Sequence, residues 1–479
     1  MTERKEKALR VIDEKRELLC TVSEEIWDHP EVLFHEEYAS DILSKTLEDE
    51  GFQVTRELAG IKTAFSGRFG AGKPVIGFLG EFDALPGMSQ QAGIFEKKPV
   101  EAGQPGHGCG HNLLGVGSLG AALAVKRYLT ENKLPGTVIY FGCPAEEGGS
   151  GKGFMARAHV FDDVDVAFTW HPGEVNSVAT ENTMANYQIS YRFHGTSAHA
   201  AMEPERGRSA LDALELMNTG VQYLREHVPS STRIHYAITD TGGVSPNVVQ
   251  ANASVLYMVR ANKVADSVAL QARVDDIAKG AALMTGTSFE RVFIDGTAEL
   301  LPNFTIERAL YDNLCAIGVP EYDEADRALA SALKKTWKGS GIAGIDGVRL
   351  DPKYAKAVKA LSENGTKAIN DFIPPLWSST EFSPGSSDVG DVSWLTPTSQ
   401  ISTTCWPAGV PGHSWQIVAC GKSALAHKGM LLAGKVLAAT AIDLLTDAAL
   451  LAAAKAEFAE RAADGYVCPI EPGAVPIAL

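Results

Sequence analysis

The stretch "GHGCGHN" (Gly106–Asn112) packs two histidines and a cysteine into seven residues of a 479-residue chain that holds only 12 histidines. Side chains of these types admit three readings: a metal site, a redox site, or a glycine-rich turn beside a buried thiol. The redox reading is weak, because no second cysteine stands nearby in sequence. Further donors stand in loops of the same glycine- and proline-containing kind: Glu146 and Glu147 in "CPAEEGGSG", His171 in "TWHP" and His413 in "GVPGHSW". Zinc and similar ions take cysteine sulfur, histidine nitrogen and carboxylate oxygen, and a catalytic site keeps one position open for water. Ligands scattered over several loops suit such a site, whereas structural zinc fingers use local paired spacing. Each signal alone is weak, and their coincidence carries the reading. Adjacent glutamates diverge, so one carboxylate can bind metal while its neighbour faces the reacting water as a general base. His29, His35, His159 and His427 lack such surroundings and read as structural. His107 reads as a supporting residue, and Asn112 as the cap of the helix that follows.

These residues need elements to hold them. "PVIGFLGEFDA", "TVIYFGCPAEE" and "VDVAFTWHP" each read as a buried parallel strand ending in polar residues. "NLLGVGSLGAALAVKRYL" between the first two has the apolar spacing of a helix packed on a sheet. Alternation of strand and helix implies an α/β domain, whose ligands bind beyond the carboxyl ends of the strands. From about Ala185 the pattern becomes β-α-β-β-α-β, which implies an inserted ferredoxin-like α+β domain over 185–297. The first domain is thus split into 1–184 and 298–479. Residues 305–370 read as mainly helical, "IPPLWSSTEFSPGSSD" as a loop, and "SQISTTCWPAG" as a return to the sheet. "SALAHKGMLLAGKVLAATAIDLL" reads as a mostly buried final helix, and the tail from Cys468 as extended. The N-terminal "MTERKEKALRVIDEKRELL" reads as an amphipathic helix with Leu9, Ile12, Leu18 and Leu19 on its apolar side.

Two strings mislead. "GVGSLG" (Gly115–Gly120) matches the dinucleotide-binding fingerprint but lies inside a helical pattern, not at a strand-to-helix turn. "GGSGKG" (Gly148–Gly153) resembles a phosphate loop, yet Gly153 follows Lys152 where Ser or Thr belongs.

Composition narrows the function. The length calls for more than one core. A formal charge of −16 argues against nucleic acid or an anionic membrane as partner. Seven scattered cysteines are no disulfide framework. The apolar runs are short or broken, so no membrane span is expected, and the absence of a signal-peptide core leads to the expectation of a cytoplasmic protein.

"GEFDALPG", "GHGCGHN", "CPAEEGGSG", "TWHP", "FHGTSAHAA", "GGVSPNVVQA", "YMVRA" and "PGHSW" together resemble, in order, the motifs of the co-catalytic metallopeptidase and amidohydrolase family that includes glutamate carboxypeptidase, aminoacylases and auxin-conjugate hydrolases. The resemblance covers nearly the whole chain. It implies two divalent metal ions, Mn or Zn, held by Cys109, His111, Glu147, His171 and His413, with Glu146 as general base. Many relatives have His-x-Asp where this chain has Glu81-Phe82-Asp83, so Glu81 is not expected to be a ligand. Asp83 is expected to orient one. The inserted domain resembles the family's lid and dimerisation domain. There His199 would hold the oxyanion, while Asn247 and Arg260 would bind a substrate carboxylate. The implied reaction is hydrolysis of an N-acyl amino acid amide, with p-aminobenzoyl-glutamate the leading substrate and indoleacetyl- or hippurate-like amides the alternatives. The implied partners are a second copy of the chain and a homologous sibling subunit. A regulatory or assembly subunit on the same fold is the non-enzymatic alternative.

Overall fold

The computed structural model describes residues 1–339 and 351–478; residues 340–350, within the segment read as helical, lie outside them. Five strands come first: β1 (Gln53–Arg56), β2 (Phe65–Ala71), β3 (Val75–Glu81), β4 (Gly136–Cys143) and β5 (Val166–Gly173). After β6 (Ala179–Thr183), the inserted unit supplies β7 (Ala185–His194), β8 (Arg233–Asp240), β9 (Asn252–Ala261) and β10 (Ser288–Thr297). β11 (Trp377–Ser383) and β12 (Thr398–Thr404) complete the set among the described residues.

The central sheet has the order β1-β2-β4-β3-β5-β12. β4, β3, β5 and β12 run parallel, and β1 and β2 add an antiparallel edge. The parallel strands read as near-continuous apolar runs because both faces are covered. Ile76, Phe78, Val138 and Tyr140 join the core beneath the long helices; Leu79, Ile139 and Phe141 join a second core on the opposite face. That second core takes in the short helices Gly151–Arg157 and Val389–Ser393 and continues into the inserted unit through Ile189 and Tyr257.

The helix His111–Asn132 lies between the sheet and the helix Ala424–Thr446. Its glycines serve this packing. A Cβ on Gly117 would come within 2.6 Å of the Trp170 indole, and one on Gly434 within 2.9 Å of the Gly117 carbonyl. "GVGSLG" is therefore a contact surface and not a phosphate turn. Ala424–Thr446 is long and apolar enough to cross a bilayer, a property not expected of any segment from the sequence; 78% of its apolar window is buried inside the protein.

The inserted unit is an antiparallel sheet of order β10-β7-β9-β8, with the helices Ala210–Leu224 and Val264–Thr285 packed on it. This is the strand order of a ferredoxin-like fold. Several local expectations fail for tertiary reasons. The Pro- and Ser-rich "loop" contains β11, which pairs in parallel with β6. The helix expected to be final is followed by another, Ala448–Arg461. The N-terminal segment breaks at Lys15 into two helices, and Leu18 is exposed while Leu9, Ile12 and Leu19 are buried.

Candidate metal centre

The polar residues collect where β3, β4 and β5 end, beside the reversal of strand order that opens a crevice in α/β sheets. Cys109 and His111 flank Gly110, whose φ of 80° is a left-handed conformation open to glycine at little cost. A side chain there would also press on Pro172 and Trp406. Gly110, and not Asn112, precedes the first turn of the helix; Asn112 is buried one residue inside it and donates to Ser23 and the Gly421 carbonyl. Glu146 and Glu147 follow β4 in a turn with Ala145 at φ 57°. His171 lies near the end of β5, with Nδ1 2.7 Å from the Pro172 carbonyl. His413, at φ 56°, is held by a bond from its backbone N–H to the Gly108 carbonyl.

The five residues that the resemblance implied as ligands meet here. Cys109, His111 and His171 place donor atoms within 4.8 Å of one another, and so do Cys109, Glu147 and His413. Cys109 belongs to both groups. Cys109 Sγ lies 3.3 Å from His171 Nε2, and His413 Nε2 lies 3.5 Å from Glu147 Oε1. Two ligands bonded to one ion at about 2.0–2.3 Å stand roughly 3–4 Å apart, so these separations suit a shared cation. Buried His111 Nε2 and Glu147 Oε1 also lack any hydrogen-bond partner. An orphaned pair of buried polar atoms in a cluster of soft and hard donors fits a pair of divalent ions.

Asp83 ties the cluster together. Its Oδ1 is 2.8 Å from His111 Nδ1, and its Oδ2 accepts from the Glu147 backbone N–H at 2.9 Å. This bond leaves His111 Nε2 as the nitrogen directed at the centre. The electrostatics follow from burial and close charge. Burial pushes the Cys109 thiol up. Burial also raises Glu147, but the nearby His413 imidazole and the His111 charge outweigh it and bring the carboxyl down to about 2. Glu146 is pushed well up, first by burial and then by the charges of Glu81 and Glu147. A carboxyl held in this way readily takes and returns a proton.

Three buried charges left no clear mark in the sequence. Lys152, in the string dismissed as a false phosphate loop, is fully buried and pairs with Glu81 at 2.7 Å and with Asp388. Asp388 sits in the stretch read as a plain loop. Glu36 is buried beside Asp83 and accepts from Thr63 and from the backbone of Phe34 and Ala145; burial and the Asp83 charge raise it to about 8. Glycine-flanked Lys152 just beyond a strand end was the one available signal. The corner thus holds the carboxyl groups of Glu81, Asp83, Glu146, Glu147 and Asp388 beside one buried lysine, Lys152, among the described residues, a lining rich in the oxygen donors that divalent cations take.

The residues expected from the inserted unit are placed differently. His199 is exposed, its Nδ1 accepting from the backbone of Ala201 and Met202, and Asn247 is exposed in the neighbouring loop. Neither joins the Cys109 groups. Arg260 is turned to the loop before Asp388, donating to the Pro384 carbonyl at 3.1 Å and to Ser386 Oγ at 2.9 Å. His107 is buried with Nε2 3.1 Å from the Ile26 carbonyl, and burial lowers it to about 3.

Comparison with known proteins identifies the family and the fold. Residues 77–383 match the model of peptidase family M20/M25/M40. The chain is 44% identical over 470 residues to a subunit of the p-aminobenzoyl-glutamate hydrolase of Escherichia coli (strain K12), covering 98% of each chain. Among solved structures, it is similar to a dinuclear metal-binding peptidase of the M20 family from Bacillus subtilis, with a TM-score of 0.55 and 17% identity over 90% of this chain and 99% of that one. It is likewise similar to an aminobenzoyl-glutamate utilization protein from Klebsiella pneumoniae, with a TM-score of 0.55 and 16% identity over 88% and 97%. The chain belongs to the M20/M25/M40 peptidase family and is a hydrolase.

Proposed function

We propose that the chain hydrolyses the amide bond of an N-acyl amino acid, with p-aminobenzoyl-glutamate as substrate and two divalent ions, Mn or Zn, as cofactor. The observation that carries this reading is the meeting of two donor groups at Cys109 with Glu146 alongside. The first ion position is assigned to Cys109, His111 and His171, the second to Cys109, Glu147 and His413. Ions bound there supply Lewis acidity for the amide carbonyl and the attacking water. Glu146 takes the proton of that water and returns it to the leaving amine nitrogen. Asp83 fixes the His111 tautomer. His199 from the inserted unit serves as oxyanion donor, and Arg260 with Asn247 as the carboxylate clamp. The name of the Escherichia coli relative, a hydrolase subunit, supports the substrate and also a sibling chain. A homodimer through the inserted unit is supported by the edge strand β8, which among the described residues pairs only with β9 and leaves Tyr236 and Ile238 exposed.

The test is release of p-aminobenzoate and glutamate by protein reconstituted with Mn or Zn. A panel with indoleacetyl-aspartate and hippurate is run in parallel, each with and without the sibling chain. The reading expects the highest kcat/KM on p-aminobenzoyl-glutamate. Failure of the fully loaded protein to cleave any of the three, alone or with the sibling, overturns it.

A further inference from the structure

We propose that Glu81 is an additional ligand of the ion at His111, with Lys152 as its charge partner. The proposal rests on the two-ion reading above and departs from the expectation drawn from the family's His-x-Asp pattern. Glu81 ends β3 and is buried with Asp83, Lys152 and Asp388. Its two oxygens face different ways. Oε1 is 2.7 Å from the Lys152 ammonium, while Oε2 is 3.4 Å from His111 Nε2. That nitrogen has no hydrogen-bond partner despite the carboxylate beside it. A donor pair at this separation that does not hydrogen-bond has the spacing of two ligands on one ion. Glu81, His111 and Glu146 also place donor atoms within 4.8 Å of one another, so Oε2 faces the same space as the general base.

Lys152 explains how this carboxylate stays ionised in the interior. Its ammonium is clamped by Asp388, which also accepts from the Lys152 backbone N–H at 2.9 Å. A buried ion pair is a poor device for stability alone, because desolvation consumes most of its Coulombic gain. Anchoring one oxygen of Glu81 leaves the other presented to a cation. A carboxylate in place of imidazole hardens the ligand set, which favours Mn over Zn.

Glu81→Gln keeps the shape and an acceptor for Lys152 but removes the charge. Glu81→Asp keeps the charge and withdraws the oxygen by one methylene. Mn dissociation constants are measured on each full-length variant with a competing fluorescent chelator, beside melting of the metal-free protein. The expected result is that one of the two Mn sites weakens about tenfold or more while the other holds, in whichever variant folds like the parent without metal. Unchanged affinity at both sites in a folded variant, while Cys109→Ser loses metal in parallel, overturns the role of Glu81 and leaves the two-ion reading standing. No Mn binding by the parent chain overturns both.

Discussion

The strand-end corner and the loops of the inserted unit carry the two halves of the expected chemistry, and they are built in opposite ways. In the corner, His111, Asp83 and Glu81 are buried, with His111 held by Asp83 and Glu81 by Lys152. In the inserted unit, His199 and Asn247 are exposed and Arg260 is occupied by the Pro384 carbonyl and Ser386. The corner gets its precision from rigid strand ends and from Asp83, which links one ligand to the backbone of another. The loops instead leave the His199 and Asn247 side chains in solvent. On the proposed function, the metal half is complete in a single chain, while the substrate half is supplied by the inserted unit of the same chain or of a second copy.

Mutations can break this contrast at several strengths. Glu146→Ala is expected to retain metal and lose about 10²–10⁴-fold in kcat, read by steady-state kinetics beside metal analysis; full activity in that variant removes Glu146 from the mechanism. His199→Ala is expected to cost roughly 10²–10³-fold in kcat with metal content unchanged. Mixing His199→Ala with Glu146→Ala protein sharpens the comparison further. Recovery of activity in the mixture shows that the loops serve a partner's corner, and no recovery shows that they serve their own. Asp83→Asn should weaken metal binding by about 10–100-fold, read by chelator competition. Metal affinity itself should rise with pH between about pH 6 and about pH 8, since burial holds Cys109 protonated and binding must expel that proton. The smallest effect expected is a structural one. Gly117→Ala forces a methyl against Trp170 beneath His171 and should cost about 1–3 kcal/mol of stability by denaturant melting.

The sequence made the corner legible because its donors lie at the ends of apolar runs, where a parallel sheet places ligands. Cys109, His111, Glu147, His171 and His413 converge because each follows a buried strand or a tight turn. The alternating strands of the inserted unit were legible for a similar reason, the period of two. Lys152 and Asp388 were not, because a buried salt bridge leaves no periodic mark and its halves stand 236 residues apart. β11 was hidden because pairing with β6, and not its own Ser- and Pro-rich composition, makes it a strand. Asn112 has the side chain of a cap, but tertiary contacts to Ser23 and Gly421 draw it inside the helix. The orientation of Arg260 depends on the 384–388 loop, which no local pattern encodes.

The central claim is that Cys109 is shared by two cation positions. Metal content by inductively coupled plasma mass spectrometry, on parent and Cys109→Ser protein dialysed against the same buffered Mn, tests it most directly. The predicted result is two ions per parent chain and loss of both from Cys109→Ser protein that still folds. Retention of two ions by that variant, or absence of bound metal from the reconstituted parent, would contradict it.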